Sequence, residues 1–310
     1  MKLLPLMGFI ILFSIILKIG PKLILETFFE VNIIYLIPTV FLFILYFSIQ
    51  SFKWWYLIKQ QSINLTFLQV FKLYIIGIFY GIITPARIGN FIRIQYLKER
   101  TNKNLGECSV SVIIERMLDF MVLLFLTMVS LIFFVNYISV ELFISFIFIY
   151  LVFFTFAFIF FKKEMSRKIL RIFWKFFIPK KMKTHARQSF NSFYKNIINW
   201  KKLILPFGFA VFGWLVLYLA VYSVGLSVGI NLPYYIFLII LPLGTIIGLL
   251  PVTVGGWGTR EAVLIFMFSF FGTTPEKIVV MTIVASFLNY LITGGLGFYL
   301  SLKEEFKVKK

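Results

Sequence analysis

Cysteine, histidine and aspartate occur once each in this 310-residue chain, as Cys108, His185 and Asp119. One cysteine cannot close an internal disulfide, and one cysteine with one histidine cannot fill a Cys/His metal site. No metal and no cofactor is expected. Charged residues make up only 14% of the chain, against roughly 25% in soluble domains. That scarcity leaves no stretch polar enough for a separate soluble domain. Acidic residues number 12 against 31 lysines and arginines, a formal charge of +19. The basic residues lie in short stretches between apolar runs, where the positive-inside rule places them. Membrane orientation accounts for the charge, and no nucleic-acid partner is expected.

What the chain has in excess is apolar sequence, 61% of its residues. Runs such as Val110–Asn136 and Leu142–Phe161 reach the ~20 residues that cross a bilayer. Each reads as a helix, because backbone groups in lipid must pair within their own segment. The expected fold is an all-α polytopic membrane protein, one integral domain over 1–310, with both termini on the cytoplasmic side of the cell membrane. Lys2 before an apolar run resembles a signal peptide, but no small-x-small cleavage site follows, so a retained first helix is expected.

Six full crossings are expected: about Leu3–Leu17, Val31–Ser51, 108–135, 142–161, Leu203–Val224 and Ile278–Leu302. Lys18, Lys22, Glu26 and Glu30 read as a charge-balanced outside loop. Phe52–Tyr56, with Lys53 and Lys59, reads as an aromatic and basic belt at the inner interface. Residues 162–202 form the largest loop, with thirteen lysines and arginines against Glu164. Within it, Ile169, Ile172, Phe173, Phe176 and Phe177 recur at helical spacing among basic residues, the pattern of an interfacial amphipathic helix.

Two apolar stretches conflict with simple crossing. Residues 67–86 lead directly into Arg87, Arg93, Lys98, Arg100 and Lys103, which a crossing would strand outside. The conflict disappears if this stretch enters from inside, turns near Gly77–Gly81 and returns. Likewise Tyr234–Pro251, with Pro242, Gly244 and Gly248, and Ala262–Phe271 read as a re-entrant pair from outside. Irregular backbone at membrane depth requires protein or a wet cavity around it. The halves 31–135 and 203–302 then match with opposite sense, as in transporters built from inverted repeats. Pro85, Gly89 and Arg93 share four-residue spacings with Pro251, Gly255 and, counted from Gly256, Arg260.

Three polar groups interrupt the apolar sequence. The first runs from Thr84 to Arg93: Pro85 disfavours helix, Gly89 permits close approach, and Arg87 and Arg93 offer planar donors suited to phosphate. Ordinary interfacial arginines would look the same. The second is Glu115, Arg116 and Asp119, a turn apart near the start of a span. Either Arg116 pairs with Asp119, or the group lines a pathway; in both cases one carboxylate is left for an arginine from elsewhere, Arg87 or Arg93. The third is Gly255, Gly256, Trp257, Gly258, Thr259, Arg260 and Glu261. A helix N-terminus beside Arg260 suits an anion, and Glu261 can cap that helix, pair with Arg260 or bind a cation. Neither a strand nor a Gly-Lys-Ser/Thr accompanies these glycines, so no nucleotide fingerprint is present.

Taken together, Pro85 through Arg93, Glu115-Arg116 with Asp119, and Leu250-Pro251 through Glu261 resemble the lysylphosphatidylglycerol synthase transmembrane (flippase-like) family, from roughly Tyr46 to Leu300. The resemblance implies a membrane fold with re-entrant helices. In the bacterial multiple peptide resistance factor, a domain of this kind moves aminoacylated phosphatidylglycerol to the outer leaflet. Only a short basic tail follows Leu302, so that protein's soluble aminoacyl-transferase domain is not expected here.

The expected function is movement of a phospholipid or polyprenyl-phosphate head group between leaflets, through a charged cavity between the hairpins. Arg87, Arg93, Arg116 and Arg260 would hold phosphate; Glu115, Asp119 and Glu261 would balance them or bind an ammonium. Pro85, Gly89, Pro251, Gly255, Gly256 and Gly258 would shape the hairpins. No catalytic motif is present, and an enzyme is not expected. The competing readings are an integral lipid-modifying transferase using one of the three carboxylates as base, and a non-catalytic subunit. Expected partners are membrane lipids, with a separately encoded lipid-modifying enzyme or a second copy of the chain as further candidates.

Overall fold

The computed structural model describes residues 4–137, 140–168, 183–249, 253 and 256–308. Among them there are helices and turns and no strand. In chain order the principal helices are α1 (Leu4–Ile19), α2 (Pro21–Phe29), α3 (Leu36–Gln60), α4 (Phe67–Ile82), α5 (Ile92–Glu99), α6 (Leu105–Phe133) and α7 (Val140–Phe161). They continue as α8 (Lys183–Lys195), α9 (Ile204–Ser227), α10 (Tyr234–Leu249), α11 (Thr259–Ser269), α12 (Pro275–Tyr290) and α13 (Leu296–Val308). Among the described residues four helical stretches, Ile33–Gln60, Leu105–Phe133, Trp200–Ser227 and Pro275–Lys303, are long and apolar enough to cross a bilayer. Large apolar side chains on their outer faces, Phe41, Phe125, Phe212 and Phe298, are more than half exposed, as lipid-facing residues are. The chain is an all-α, multi-pass integral membrane protein.

The beginning departs from the expected crossing and loop. Gly20 adopts φ 105, Pro21 opens α2, and the axis turns by 85°. Proline lacks the N–H that would extend α1, yet suits the first position of a new helix. The stretch read as an outside loop is therefore helix α2, with Ile24 and Thr27 buried and its body against α12. The last span also differs: α12 and α13 are joined by a π turn at Leu291–Gly295.

The two stretches expected as re-entrant hairpins each contribute to a pair of packed helices, but residues 67–86 do not turn back on themselves at Gly77–Gly81. Thr66 and Gln69 form a reciprocal capping box that starts α4, which then runs unbroken through Gly77 and Gly81. The turn comes at Ile83–Thr84. Thr84 is extended before Pro85, its hydroxyl donates to the Tyr80 carbonyl (2.8 Å), and it accepts from the Gly89 amide (2.7 Å). A 3₁₀ segment, Pro85–Phe91, and α5 then return along α4. Gly77 and Gly81 are approach points for this limb. A Cβ on Gly77 would stand 2.6 Å from Arg93 Cδ, and one on Gly81 would meet the Asn90 amide.

The second pair is α10 against α11. α10 carries Pro242 without a break, and its Gly244 admits Leu264 of α11, where a Cβ would stand 2.7 Å from Leu264 Cδ2. Gly256 adopts φ 79 against Gly248. Pro251, Gly255 and the amphipathic pattern at 169–177 lie outside the described residues.

The packing is reciprocal. α3 and α9 form the most extensive helix pair. α4 packs on α13 and the π turn, and α10 packs on α6. α10 thus lies against the helix that follows the first hairpin, and α4 against the later part of the span that follows the second.

Candidate functional site

Beneath the α3–α9 seam, three elements bring five charges together. On α3, Gln50 and Lys53 stand one turn apart, both fully buried. On α6, Glu115 and Asp119 share a face, four residues apart, with Arg116 beside them. Arg93 enters from α5 and is fully buried. Arg93 Nη2 donates to Glu115 Oε2 at 2.8 Å, and Lys53 Nζ lies 3.3 Å from Glu115 Oε1. Lys53 Nζ also donates to Asp119 Oδ1, which Gln50 Nε2 approaches at 3.4 Å. The Arg93 guanidinium sits 4.6 and 4.9 Å from the ring centres of Trp54 and Tyr74, whose faces take up cationic charge. Isolated ions in such a place would cost several kcal/mol each, so the pairing is what permits their burial.

Arg116 is held differently. Its Nε is 3.2 Å from Glu115 Oε2, yet neither Nε nor Nη2 makes a hydrogen bond, although both atoms are shielded. The cluster holds three cations, Lys53, Arg93 and Arg116, against two carboxylates.

The second hairpin supplies another arginine. Glu261, fully buried in the first turn of α11, accepts the Gly258 amide through Oε2 at 2.6 Å and so closes the helix N-terminus itself. Its Oε1 accepts from Arg260 Nε at 3.0 Å and Nη2 at 2.6 Å; Nη2 also donates to Ser286 Oγ at 3.0 Å. Of the three roles open to Glu261, capping and pairing are both realised, and no free amide remains at Gly258. Gly258 adopts φ 83 where α1 crosses the turn; a Cβ there would meet the Gly8 carbonyl and stand 2.9 Å from Leu12 N.

Between the hairpins lies a cavity of about 190 Å³, many times the ~10–15 Å³ that admits one water. α3, α4, α6, α9, α10, α11 and α12 contribute to its wall. Arg87, Arg116 and Arg260 line it, with Tyr46, Tyr74, Asn90, Tyr218, Thr245, Ser286 and Asn289. Arg87 holds φ 54, a left-handed conformation rare outside glycine, at the first hairpin's turn. Glu115, Asp119 and Glu261 do not line the cavity. The wall is therefore arginine, hydroxyl and amide over a base of carboxylates that are already paired. Such a surface favours an anion rich in oxygen acceptors.

The predicted site residues thus separate into layers. Arg87, Arg116 and Arg260 reach the wall, while Arg93 lies behind it as the expected partner of Glu115. Asp119 pairs with Lys53 rather than with Arg116. Gly89 packs against the Tyr80 carbonyl, where a Cβ would collide, and Pro85 opens the return limb. Lys53, which the sequence pattern places at the inner interface, is instead fully buried within the bundle. The sequence carries its signal: Gln50 and Lys53 at i, i+3 put two polar groups on one face of an apolar helix, and Lys53 is about 9 Å inward of Lys59 at 1.5 Å per residue.

Residues 3–297 match the family described as lysylphosphatidylglycerol synthase TM region. The chain belongs to that family. It is 26% identical over 324 aligned positions to a UPF0104 membrane protein of Methanocaldococcus jannaschii, covering 98% of this chain and 95% of the relative. A UPF0104 membrane protein of Methanothermobacter thermautotrophicus is 21% identical over 312 positions, 94% and 91% covered. No solved structure matches. Membership ties the chain to membrane-lipid function, and the match includes both hairpins and all seven charged residues singled out in the sequence.

Proposed function

We propose that the protein is a lipid translocase, in which a phospholipid or polyprenyl-phosphate head group enters the cavity between the hairpins while its tails stay in the bilayer. The observation that carries this reading is the cavity wall: among the described residues it has three arginines and no carboxylate, inside an apolar bundle. A phosphate crossing the hydrocarbon core loses its water, and fixed guanidinium donors replace that shell. The reciprocal packing of the two hairpins supports a pair of structurally related halves. Halves of opposite sense would let the cavity open to each leaflet in turn. In this reading Arg87, Arg116 and Arg260 hold the phosphate, while Glu115 positions Arg116 and Glu261 positions Arg260.

Leaflet exchange by purified protein in vesicles tests the proposal. Wild type is expected to exchange phospholipid, and Arg260→Ala to slow that exchange at least tenfold. Protein that alters head groups in a fixed leaflet and exchanges none contradicts it.

A further inference from the structure

Resting on the translocase reading, we infer that the cavity takes a phosphate-ester head group bearing no amino group, and that Lys53 is what excludes aminoacylated ones. The family's description names a lysylated lipid. A lysyl head group carries ammonium groups, and a site built for it must offer them a carboxylate. The carboxylates Glu115, Asp119 and Glu261 lie behind this cavity's wall, and each is engaged within the protein. Glu115 faces Arg93, Lys53 and Arg116. Asp119 faces Lys53 and Gln50. Glu261 holds the Gly258 amide and Arg260.

The ammonium of Lys53 already sits on the two carboxylates that an incoming lysyl group would seek. A second ammonium would have to displace it or face Arg87, Arg116 and Arg260 without a counter-charge. The opposite sign is welcomed. The cluster behind the wall has one cation in surplus, and Arg116 Nε and Nη2 make no hydrogen bond. Arg87 carries no ion pair among the described residues. A phosphate oxygen in the cavity supplies the acceptor and the negative charge that these groups lack. Lys53 is thus a specificity-determining residue: it takes the place of an amino group on the ligand.

The test is competition on the full-length protein, read by native mass spectrometry in detergent, between short-chain phosphatidylglycerol and its lysyl ester. The lipid without the amino group is expected to be retained at least tenfold in preference. Lys53→Arg is expected to keep that preference, and Lys53→Met, which frees Asp119, to narrow or reverse it. Lys53→Met with Asp119→Asn, which removes the pair together, restores the preference. Equal or greater retention of the lysyl ester by wild type overturns the inference, as does an unchanged preference in folded Lys53→Met. If the single variant does not fold, wild type and the double variant decide. A third arm uses tail-free glycerol phosphate: equal retention there assigns the site to a soluble anion and defeats the lipid reading while the charge preference stands. Phosphatidylglycerol preferred but not exchanged between leaflets defeats translocation alone. Exchange without preference defeats only the inference.

Discussion

Lys53 on α3 and Glu115 on α6 meet at 3.3 Å with both side chains fully shielded, in the interior of a helix bundle built to face lipid. Asp119 completes the contact from the next turn of α6. This pair ties two long helices together behind the cavity wall. Its loss should register first in stability. Replacing Lys53 by methionine leaves two buried carboxylates with reduced counter-charge, a change that costs roughly 3–5 kcal/mol when one partner of a buried pair is removed. Thermal unfolding in detergent should show a large decrease for Lys53→Met, a small one for Lys53→Arg, and partial recovery when Asp119→Asn is added. Equal stability of all three variants would mean that the pair is not shielded.

The first hairpin depends on glycines that let its limbs touch. A methyl group at Gly89 would enter the space of the Tyr80 carbonyl, whereas one at Gly294 would meet nothing within 4 Å. Gly89→Ala is expected to destabilise by about 1–3 kcal/mol, the usual range for overpacking. Gly294→Ala should stay within about 0.5 kcal/mol of wild type. Paired unfolding measurements check the contrast.

Arg87 combines a left-handed backbone with a charge on the cavity wall. The two properties separate by substitution. Arg87→Gly relaxes a conformation that costs an L-residue roughly 1–2 kcal/mol, and should be more stable than Arg87→Ala by about that amount. Both should lose binding of phosphatidylglycerol to the same extent, because both lose the guanidinium. Unequal loss would point to backbone shape, rather than charge, as the contribution of this position.

The proposed opposite insertion of the hairpins has a direct reporter at their bases. Asn64 precedes α4 and Asn231 precedes α10, and both are exposed. In a protein with Cys108→Ser, a cysteine at position 64 should react with a membrane-impermeant reagent from the cytoplasmic side only. One at position 231 should react from the opposite side only. Labelling of both from one side contradicts the inverted arrangement.

How much of this is legible in the sequence differs from element to element. Membrane class, both helical pairs and three charged segments follow from apolar run length and from the placement of basic residues. Those are properties of the chain against its solvent, and sequence carries them well. The turn of the first hairpin was misplaced because glycine serves both turns and close approach. Gly77 and Gly81 serve approach, and Thr84 with Pro85 makes the turn. α2 was missed because its opposed charges, Lys22 and Glu26, look like a loop while forming an i, i+4 pair on a helix. The partner of Asp119 was missed because Lys53 is brought to it by tertiary packing, far along the chain. The i, i+3 spacing of Gln50 and Lys53 marked a polar face without naming what it would meet.

The central claim, an arginine-lined cavity that carries a phosphate head group across the bilayer, is tested most directly by leaflet exchange of tail-labelled phosphatidylglycerol in vesicles. Exchange is followed by chemical quenching from outside. Wild type should bring the inner-leaflet label into reach of the quencher. The double variant Arg87→Ala, Arg260→Ala, matched to wild type in unfolding temperature, should leave it protected. Protected label with wild type, or equal exchange by the double variant, would contradict the account.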